Sequence, residues 1–379
     1  MTDWLDSRRL EQGGFIVAEA LKNMYNRAYL DDLSAAIQSH LPPYDPGAFL
    51  ARVLDDQWQR RALKERMRHI TTALGGALPE DYRAALDILR RAAPALADYG
   101  FENMVFPDFV GLYGLDDWEV SMPALEQFTQ LISAEYAVRP FIVKDQDRMM
   151  AQMLQWADHQ NHLVRRLASE GCRPRLPWGV ALPALKANPL PILPILEQLK
   201  LDPSESVRRS VANNLNDIAK DNPDVVIGLL RRWQTHDTQE MRWIIDRALR
   251  TLVKKGNPEA FELLGYPACP EVEVRNLAVG PETVPMGGEV TFSFEIESRG
   301  QTPQNLMIDY VVHLMRANGQ LTPKVFKLTR RTLAPGETVR ITKKHSFRPV
   351  TTRRYYPGEH AIEVQVNGGS SEHKRFVVM

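Results

Sequence analysis

A chain of 379 residues is longer than one ordinary hydrophobic core requires, so two domains are predicted. Its composition, 44% hydrophobic and 25% charged, is that of a soluble globular protein, and the lack of an apolar run of about 18 residues excludes a membrane-spanning helix. Two cysteines exclude a disulfide framework and a cysteine-rich metal site, and no metal or cofactor is expected. The start, "MTDWLDSRRLEQ", lacks the apolar stretch of a secretory signal, which indicates a cytoplasmic protein.

Residues 14–264 show helical periodicity with short breaks at Pro or Gly. Three segments echo one another at spacings of 43 and 34 residues: "VRRLASEG" from Val164, "VRRSVANN" from Val207 and "MRWIIDRA" from Met241. These spacings are close to the period of HEAT-type helix pairs, in which each repeat buries its apolar face only by stacking on its neighbours. The pattern therefore predicts a mainly α domain, a HEAT-like α-solenoid, over residues 1–266.

Residues 267–379 change to the alternation that is typical of strands. "EVTFSFEIES", "MIDYVVHLM", "VRITKKHSF" and "HAIEVQVNGG" alternate apolar and polar residues, and turn signals such as Asn318-Gly319 and Asn367-Gly368 separate them. About seven short strands predict a C-terminal all-β immunoglobulin-like sandwich, although the Cys and Trp hallmarks of antibody domains are absent.

One predicted helix, "VRRSVANNLNDIAKDNP", has two contrasting faces. Its apolar stripe consists of Val207, Val211, Leu215 and Ile218. The opposite side carries Arg209, Asn213, Asp217 and Lys220. Taken alone, the polar side indicates a solvated helix face. Acidic residues one repeat away suggest a second interpretation, a functional surface.

Three acidic residues, Glu135, Glu170 and Asp217, fall one repeat apart near predicted helix ends. Equivalent positions of successive repeats line one surface of a solenoid, usually the concave one. Glu170 directly precedes Gly171, a predicted C-cap, and Glu135 precedes a Pro-marked break, so the helix dipole disfavours both carboxylates by about 0.3–1 kcal/mol. Positions that cost stability indicate a functional role.

Donor side chains surround these acids, and residues 139–255 hold 19 basic residues against 13 acidic ones. The predicted phosphate-binding donors are Arg139, Lys144, Arg165, Arg166, Arg173, Arg175, Arg208, Arg209, Asn213, Asn214, Arg242 and Arg247. The alternative is that the arginines pair with the acids across neighbouring repeats.

Aromatic residues fall in the same region, among them Tyr136 and Trp178. Trp178 ends the loop "GCRPRLPW", whose Pro174 and Pro177 restrict the backbone and would present the indole rigidly. The alternative is that Trp178 packs against the next helix.

Four motifs in order, "LKERMRHI", "EYAVRPF", "LASEGCRPRLPW" and "SVRRSVANNLNDIAKDNPD", resemble the bacterial DNA-alkylation-repair glycosylases of the AlkC type, relatives of the HEAT-like AlkD type. The resemblance covers the helical region, and the tail is similar to the version with a C-terminal immunoglobulin-like domain. It implies excision of cationic alkylated bases from double-stranded DNA in the bacterial cytoplasm, at the nucleoid. The main lesion would be 3-methyladenine, with 3-methylcytosine and 1-methyladenine as further candidates.

Carried over residue by residue, the resemblance implies that Glu135, Glu170 and Asp217 are the catalytic carboxylates and that Trp178, with Tyr136 as a second candidate, contacts the lesion. It also implies that the damaged nucleotide is reached by bending the DNA and not by full base flipping. No lysine stands out as a Schiff-base nucleophile, so we expect a monofunctional enzyme that leaves an abasic site. We also expect the protein to be a monomer.

Two other classes of function compete with this one. A non-catalytic HEAT scaffold that binds DNA or protein needs only repeats and a basic groove. A metal-dependent hydrolase is suggested only by His159 and His162, whose i, i+3 spacing is more typical of helix capping or packing. The sequence has no Walker loop, G-x-S-x-G elbow or G-x-G-x-x-G after a strand, which gives nucleotide hydrolysis, serine hydrolysis and hydride transfer no support.

The strand-rich tail is basic between Lys324 and Arg354, with ten basic residues against a single acid, Glu337. Strand alternation points many of them outward, so we predict that they contact the DNA backbone, particularly through Arg353 and Arg354 of the loop "TTRRYYPG". The alternative is an evenly solvated surface.

Overall fold

The computed structural model describes residues 21–350 and 353–379, which form two compact units, residues 21–222 and residues 223–379. Three parts of the sequence lie outside the described residues: the N-terminal segment on which the cytoplasmic prediction depends, residues 14–20 of the predicted helical region, and residues 351–352 of the loop "TTRRYYPG". None of the helices in the described ranges is long and apolar enough to cross a membrane.

The described part of the first unit contains twelve α-helices, joined by short loops and single turns of 3-10 helix. They are α1 Arg27–Gln38, α2 Pro46–Val53, α3 Leu63–Gly75, α4 Tyr82–Ala92, α5 Val105–Tyr113, α6 Trp118–Phe128, α7 Val138–Lys144, α8 Gln146–Trp156, α9 His162–Gly171, α10 Pro183–Ala187, α11 Leu193–Leu199 and α12 Glu205–Ile218. Neighbouring helices pack on one another, as α7 with α8, α8 with α9, and α9 with α12. The unit is helical throughout, as predicted.

Local sequence sets many of the helix starts. The side chains of Asn26, Asp45, Asp81 and Asn161 each accept a hydrogen bond from a backbone N–H two or three residues later. Each cap satisfies a donor that has no partner inside the helix.

The predicted internal echo corresponds to equivalent helix positions. Val164 and Val207 are the third residues of α9 and α12, and both are fully buried. The apolar stripe of α12 is also buried, as predicted. Asn213 and Asp217 on its polar side are only 8% and 1% exposed. A solvated face is therefore excluded for these two residues, because α12 is covered on both sides.

The described part of the second unit begins with three helices and continues with eight strands. These elements are α13 Pro223–Trp233, α14 Gln239–Lys254, α15 Pro258–Leu263, β1 Val272–Gly280, β2 Thr283–Val284, β3 Glu289–Ser298, β4 Gln304–Met315, β5 Leu321–Leu333, β6 Thr338–Ser346, β7 Gly358–Val366 and β8 Gly369–Val378. The strands form one sheet in the order β1-β3-β6 and another in the order β2-β8-β7-β4-β5. The predicted all-β sandwich is confirmed. The predicted domain boundary after residue 266 follows the change from helix to strand and stays a prediction.

The core of the sandwich lies between the two sheets. Phe292, Phe294 and Ile296 alternate inward along β3, and Tyr310 and Val312 of β4 face them from the other sheet. Strand β4 is buried on both faces, unlike β3.

The predicted Asn-Gly turn between β7 and β8 is confirmed. Asn367 and Gly368 have φ values of 47° and 81°, which glycine adopts without steric cost and asparagine tolerates. The Asn367 side chain donates to the carbonyls of Pro267 (2.8 Å) and Asn305 (3.1 Å) and accepts from the Met307 N–H (2.7 Å). The turn thus holds the segment that precedes β1 against β4.

Candidate functional site

The three carboxylates predicted from the sequence lie together in the first unit, joined by arginines. Arg166 donates to Glu135 (Nη1 to Oε2, 3.2 Å) and its Nη2 lies 3.8 Å from Oε1 of Glu170. Arg173 donates to Glu170 (Nη1 to Oε1, 2.6 Å) and to Asp217 (Nε to Oδ2, 2.9 Å). Acids and bases therefore alternate along one line.

Lys220 ends this line, because its Nζ donates to Oδ1 of Asp217 at 2.9 Å. The charge ladder, as we name the whole series, consists of Glu135, Arg166, Glu170, Arg173, Asp217 and Lys220. Its acids are only 1–7% exposed. Three cations thus balance three carboxylates, and buried charges persist in proteins only when they are paired in this way.

The ladder drives the pKa values of its two glutamates apart. Burial raises the pKa of Glu135, and the nearby Arg166 offsets this only in part. Burial also acts on Glu170, but the guanidinium groups of Arg173 and Arg166 lower its pKa to about 2. Carboxyl groups with such different environments are suited to different roles in one reaction.

A buried polar seam joins α9 to α12 behind Glu170. Ser210 Oγ donates to Ser169 Oγ (3.0 Å), and Asn214 Nδ2 donates to the carbonyl of Ser169 (2.8 Å). Asn214 was predicted among the phosphate-binding donors, but it is fully buried. Asn214 is therefore not a phosphate-binding donor. It links α9, which carries Glu170, to α12, which carries Asp217.

Two local details around the acids correct the sequence prediction. Glu135 does not end a helix: it lies in the turn before α7, where the helix dipole favours a carboxylate. Gly171 is the last residue of α9, and Cys172 is the cap. A side chain at Gly171 would meet Cγ2 of Val138 at 2.6 Å, so glycine is required there for close packing and not for a left-handed turn.

Trp178 is presented by a constrained loop. Its φ of 61° lies in the left-handed region, which a bulky residue rarely adopts, and the residue is 38% exposed. The loop is closed by backbone hydrogen bonds from Gly179 to Leu176 (3.1 Å) and from Leu182 to Pro174 (3.2 Å). Unusual backbone conformations of this kind cluster at functional sites. The loop therefore leaves Trp178 exposed, and its presentation to a ligand stays a prediction.

Tyr136 lies beside this loop, and its hydroxyl donates to the carbonyl of Pro177 at 3.4 Å. Lys64 of α3 reaches the same place: its Nζ donates to the Trp178 carbonyl (2.7 Å) and lies 4.7 Å from the centroid of the Tyr136 ring. Sequence reasoning did not select Lys64 as a site residue. Its one signal was its position in the motif "LKERMRHI".

Arg139, predicted as a DNA contact, is instead an internal brace of the loop that carries Trp178. It is 1% exposed. Its Nη1 donates to the carbonyls of Gly171 and Arg173 (both 3.0 Å), and its Nε donates to the carbonyl of Val180 (2.5 Å). These bonds satisfy loop carbonyls on both sides of Trp178, and burial removes Arg139 from any phosphate.

Arg165 and Arg208 brace the starts of their own helices in the same way. Each donates through Nη1 to the carbonyls six and five residues before it, at 2.7–2.9 Å. Arg165 also pairs with Asp202 at 2.5 and 3.0 Å. The predicted DNA contact of Arg165 is therefore corrected to a structural role. The site-facing arginine is the next residue, Arg166.

Most other predicted DNA contacts of the helical region form surface ion pairs. The pairs are Lys144 with Asp116, Arg175 with Asp221, Arg209 with Glu205, and Arg242 with Asp237. Such pairs stabilise a protein by only about 0–1 kcal/mol, so a phosphate can replace the carboxylate. Asn213 is buried.

The remaining predicted contacts lie in the second unit, against aromatic rings. Arg247 lies 5.4 Å from the ring centroid of Trp243, and Arg354 lies 5.3 Å from that of Tyr356. Arg353 donates to the hydroxyl of Tyr355 at 3.1 Å. Of the two histidines considered as metal ligands, His159 accepts a hydrogen bond at Nδ1 from the backbone N–H of Asn161 at 3.0 Å.

Two family models match this chain, one in its helical part and one in its strand-rich part. Residues 122–252, which include the whole ladder, match the family model "DNA alkylation repair enzyme", and residues 273–379 match "Uncharacterised protein YhaZ, C-terminal Ig-like domain". The "Uncharacterized protein YhaZ" of Bacillus subtilis (strain 168) is 44% identical over 349 residues, which cover 92% of this chain and 96% of the relative.

A solved structure is similar over almost the whole chain. It is the Pseudomonas fluorescens alkylpurine DNA glycosylase AlkC bound to DNA containing an abasic site analog. The identity is 37% and the TM-score 0.89, over 95% of this chain and 99% of that chain. The chain described here therefore belongs to the AlkC family of DNA-alkylation-repair glycosylases, in the form with a C-terminal immunoglobulin-like domain.

Proposed function

We propose that this chain is a monofunctional DNA glycosylase that hydrolyses the N-glycosidic bond of cationic alkylated bases in double-stranded DNA, 3-methyladenine above all, and leaves an abasic site. The observation that carries this proposal is the charge ladder, which holds three buried carboxylates in the same helical unit as the exposed Trp178. We extend to this chain, also as a proposal, the approach to the lesion by DNA bending without full base flipping.

The chemistry of a cationic lesion matches these residues. Alkylation of a ring nitrogen makes the base a good leaving group, so no general acid has to protonate it. As the base departs from C1′, the sugar becomes oxocarbenium-like, and carboxylates already fixed in place stabilise that positive charge. The face of Trp178 attracts a charged base by about 0.5–2 kcal/mol more than a neutral one.

The charge ladder would also contact the DNA backbone through an arginine. In the structure Arg166 and Arg173 neutralise the acids. A DNA phosphate offers the same bidentate partner as a carboxylate. Binding of the strand would therefore draw the partly exposed guanidinium of Arg166 toward the phosphate and leave Glu135 to face the cationic sugar and base. Arg173, predicted as a DNA contact, is buried between Glu170 and Asp217 and stays with these acids.

Release of a free base separates this function from the non-catalytic scaffold. Methylated duplex DNA is incubated with the protein, and the released bases are identified by mass spectrometry. We expect 3-methyladenine in the soluble fraction and alkali-labile abasic sites in the DNA, with activity unchanged by chelators. DNA binding without any released base would support the scaffold.

The difference between the two glutamates predicts the acid side of the pH–rate profile. If ionised Glu135 takes the proton from the attacking water, excision decreases as the pH falls through its pKa, which burial raises above the ordinary glutamate value of about 4.3. Glu170, with a pKa of about 2, stays ionised over that range. Single-turnover rates between about pH 4 and pH 8 measure the profile. Glu135→Gln should remove this decrease along with most of the rate, and Glu170→Gln should keep it. A decrease centred below the ordinary value would assign the base to another residue.

The basic part of the second unit is proposed to bind the DNA backbone. Arg331, Arg340 and Arg348 are exposed on or beside the edge strands β5 and β6. For each phosphate that an Arg→Gln variant no longer binds, the slope of log K against log salt should become shallower by about 0.9. Arg375→Gln is the matched control, because Arg375 lies on β8 and pairs with Glu359. Unchanged slopes in all three variants would favour an evenly solvated surface.

A further inference from the structure

We propose that Lys64 is a positioning residue of the glycosylase site, which fixes the main chain at Trp178 and thereby aims the indole. The inference rests on the proposed function in one respect, the contact of Trp178 with the damaged base. It gives a role to the motif "LKERMRHI", which the catalytic assignment leaves unexplained.

The contact joins two distant parts of the first unit. Lys64 is the second residue of α3, and its ammonium donates to the carbonyl of Trp178 at 2.7 Å, across 114 residues of sequence. The acceptor belongs to the residue with the left-handed backbone. Because this carbonyl orientation follows from φ and ψ of the loop, a charged hydrogen bond to it selects that backbone conformation over the extended ones that tryptophan prefers.

A second contact fixes the ammonium itself. Lys64 Nζ lies 4.7 Å from the centroid of the Tyr136 ring, and Tyr136 in turn donates to the carbonyl of Pro177. One face of Tyr136 therefore already holds a cation. A cationic base would be repelled by the ammonium there and attracted to the free indole, so Lys64 also decides which aromatic ring receives the lesion.

The environment of Lys64 distinguishes a tether from a simple phosphate contact. Its pKa is lowered, first by burial and then by the charges of Arg68 and Arg139, with Asp108 acting in the opposite direction. Arg68 is itself paired with Asp108 at 2.8 Å. Lys64 is thus partly withdrawn from solvent, between a backbone carbonyl and an aromatic face.

Four variants test the tether: Lys64→Met, which keeps the unbranched stem; Lys64→Arg, which keeps a charged donor; Trp178→Ala; and the double variant Lys64→Met/Trp178→Ala. Lys200→Met, which removes an ammonium paired with Glu197 on another helix, is the charge control. Single-turnover excision of 3-methyladenine at saturating enzyme and affinity for undamaged duplex are measured for each.

We expect Lys64→Met to lower the saturated rate about tenfold, the scale of one charge-assisted hydrogen bond. Affinity for undamaged duplex should change less than about twofold, and Lys64→Arg should recover most of the rate. In the Trp178→Ala background, Lys64→Met should add less than about twofold, because coupled residues are non-additive. Fully additive losses, or an unchanged saturated rate with weaker binding and a reduced salt slope, would overturn the tether and make Lys64 a phosphate contact.

A spectroscopic measurement tests the tether without relying on catalysis. The chain contains seven tryptophans. In protein labelled with 5-fluorotryptophan, the resonance of Trp178 is assigned by Trp178→Phe. It should shift or broaden in Lys64→Met and stay in place in Lys200→Met. An unmoved resonance contradicts the tether. If the unmutated protein releases no base, the proposed function fails, and the fluorine spectrum still decides the tether.

Discussion

Replacing Glu135, Glu170 or Asp217 by its isosteric amide is expected to reduce excision of 3-methyladenine, by about 10²-fold for the most important of them, with DNA binding near normal. Each substitution removes one negative charge with little change in shape. The loss should appear in the single-turnover rate at saturating enzyme, because the carboxylates stabilise charge that develops only in the transition state.

The structure requires a control for stability in this experiment. Removing the charge of Asp217 leaves Arg173 short of a partner in the interior, and breaking a buried pair costs about 3–5 kcal/mol. Asp202→Asn is the matched control, because Asp202 is also a buried acid paired with an arginine, Arg165, and lies outside the ladder. It should lower the melting temperature similarly and leave the excision rate of the folded protein unchanged. Near-normal rates in all three ladder variants would contradict the catalytic assignment.

Trp178→Ala is expected to abolish most of the preference for charged over neutral bases. The indole is exposed and held in a fixed loop, so its loss removes a cation–π contact without opening the core. Rates on duplexes with 3-methyladenine and with uracil, a neutral base, give the selectivity. Trp178→Phe should keep an intermediate preference, because a phenyl ring binds cations more weakly than an indole.

Two outcomes would contradict selection of the substrate by charge at Trp178. If the unmutated protein excises uracil as fast as 3-methyladenine, charge does not select the substrate. If Trp178→Ala lowers both rates by the same factor, the indole contributes to the geometry of the site and not to discrimination.

Features set by short-range pattern could be predicted from the sequence. Strand β3 coincides with the predicted "EVTFSFEIES", since alternation needs only neighbouring residues, and the Asn367-Gly368 turn follows from two adjacent residues that tolerate positive φ. The helical echo placed Val164 and Val207 at equivalent positions for the same reason.

In the candidate site, some features follow from the sequence and others only from the fold. The sequence by itself determined which acids stand one repeat apart and which loop carries Trp178, because repeat spacing and proline content are local. Only the tertiary structure decided which cationic side chains pair with those acids. Arg165 and Arg166 are adjacent and chemically identical, yet one braces its helix and the other enters the ladder, since a step of about 100° around a helix gives neighbouring residues different surroundings.

The site properties that the sequence did not predict come from long-range contacts and from burial. Arg139 has a side chain that commonly binds phosphate, but it is enclosed by the loop it braces. Lys64 reaches Trp178 only because α3 packs in the same unit. The contrast between Glu135 and Glu170 likewise arises from desolvation and from guanidinium groups brought in by the fold. These properties depend on distances between residues far apart in the chain, which no local pattern encodes.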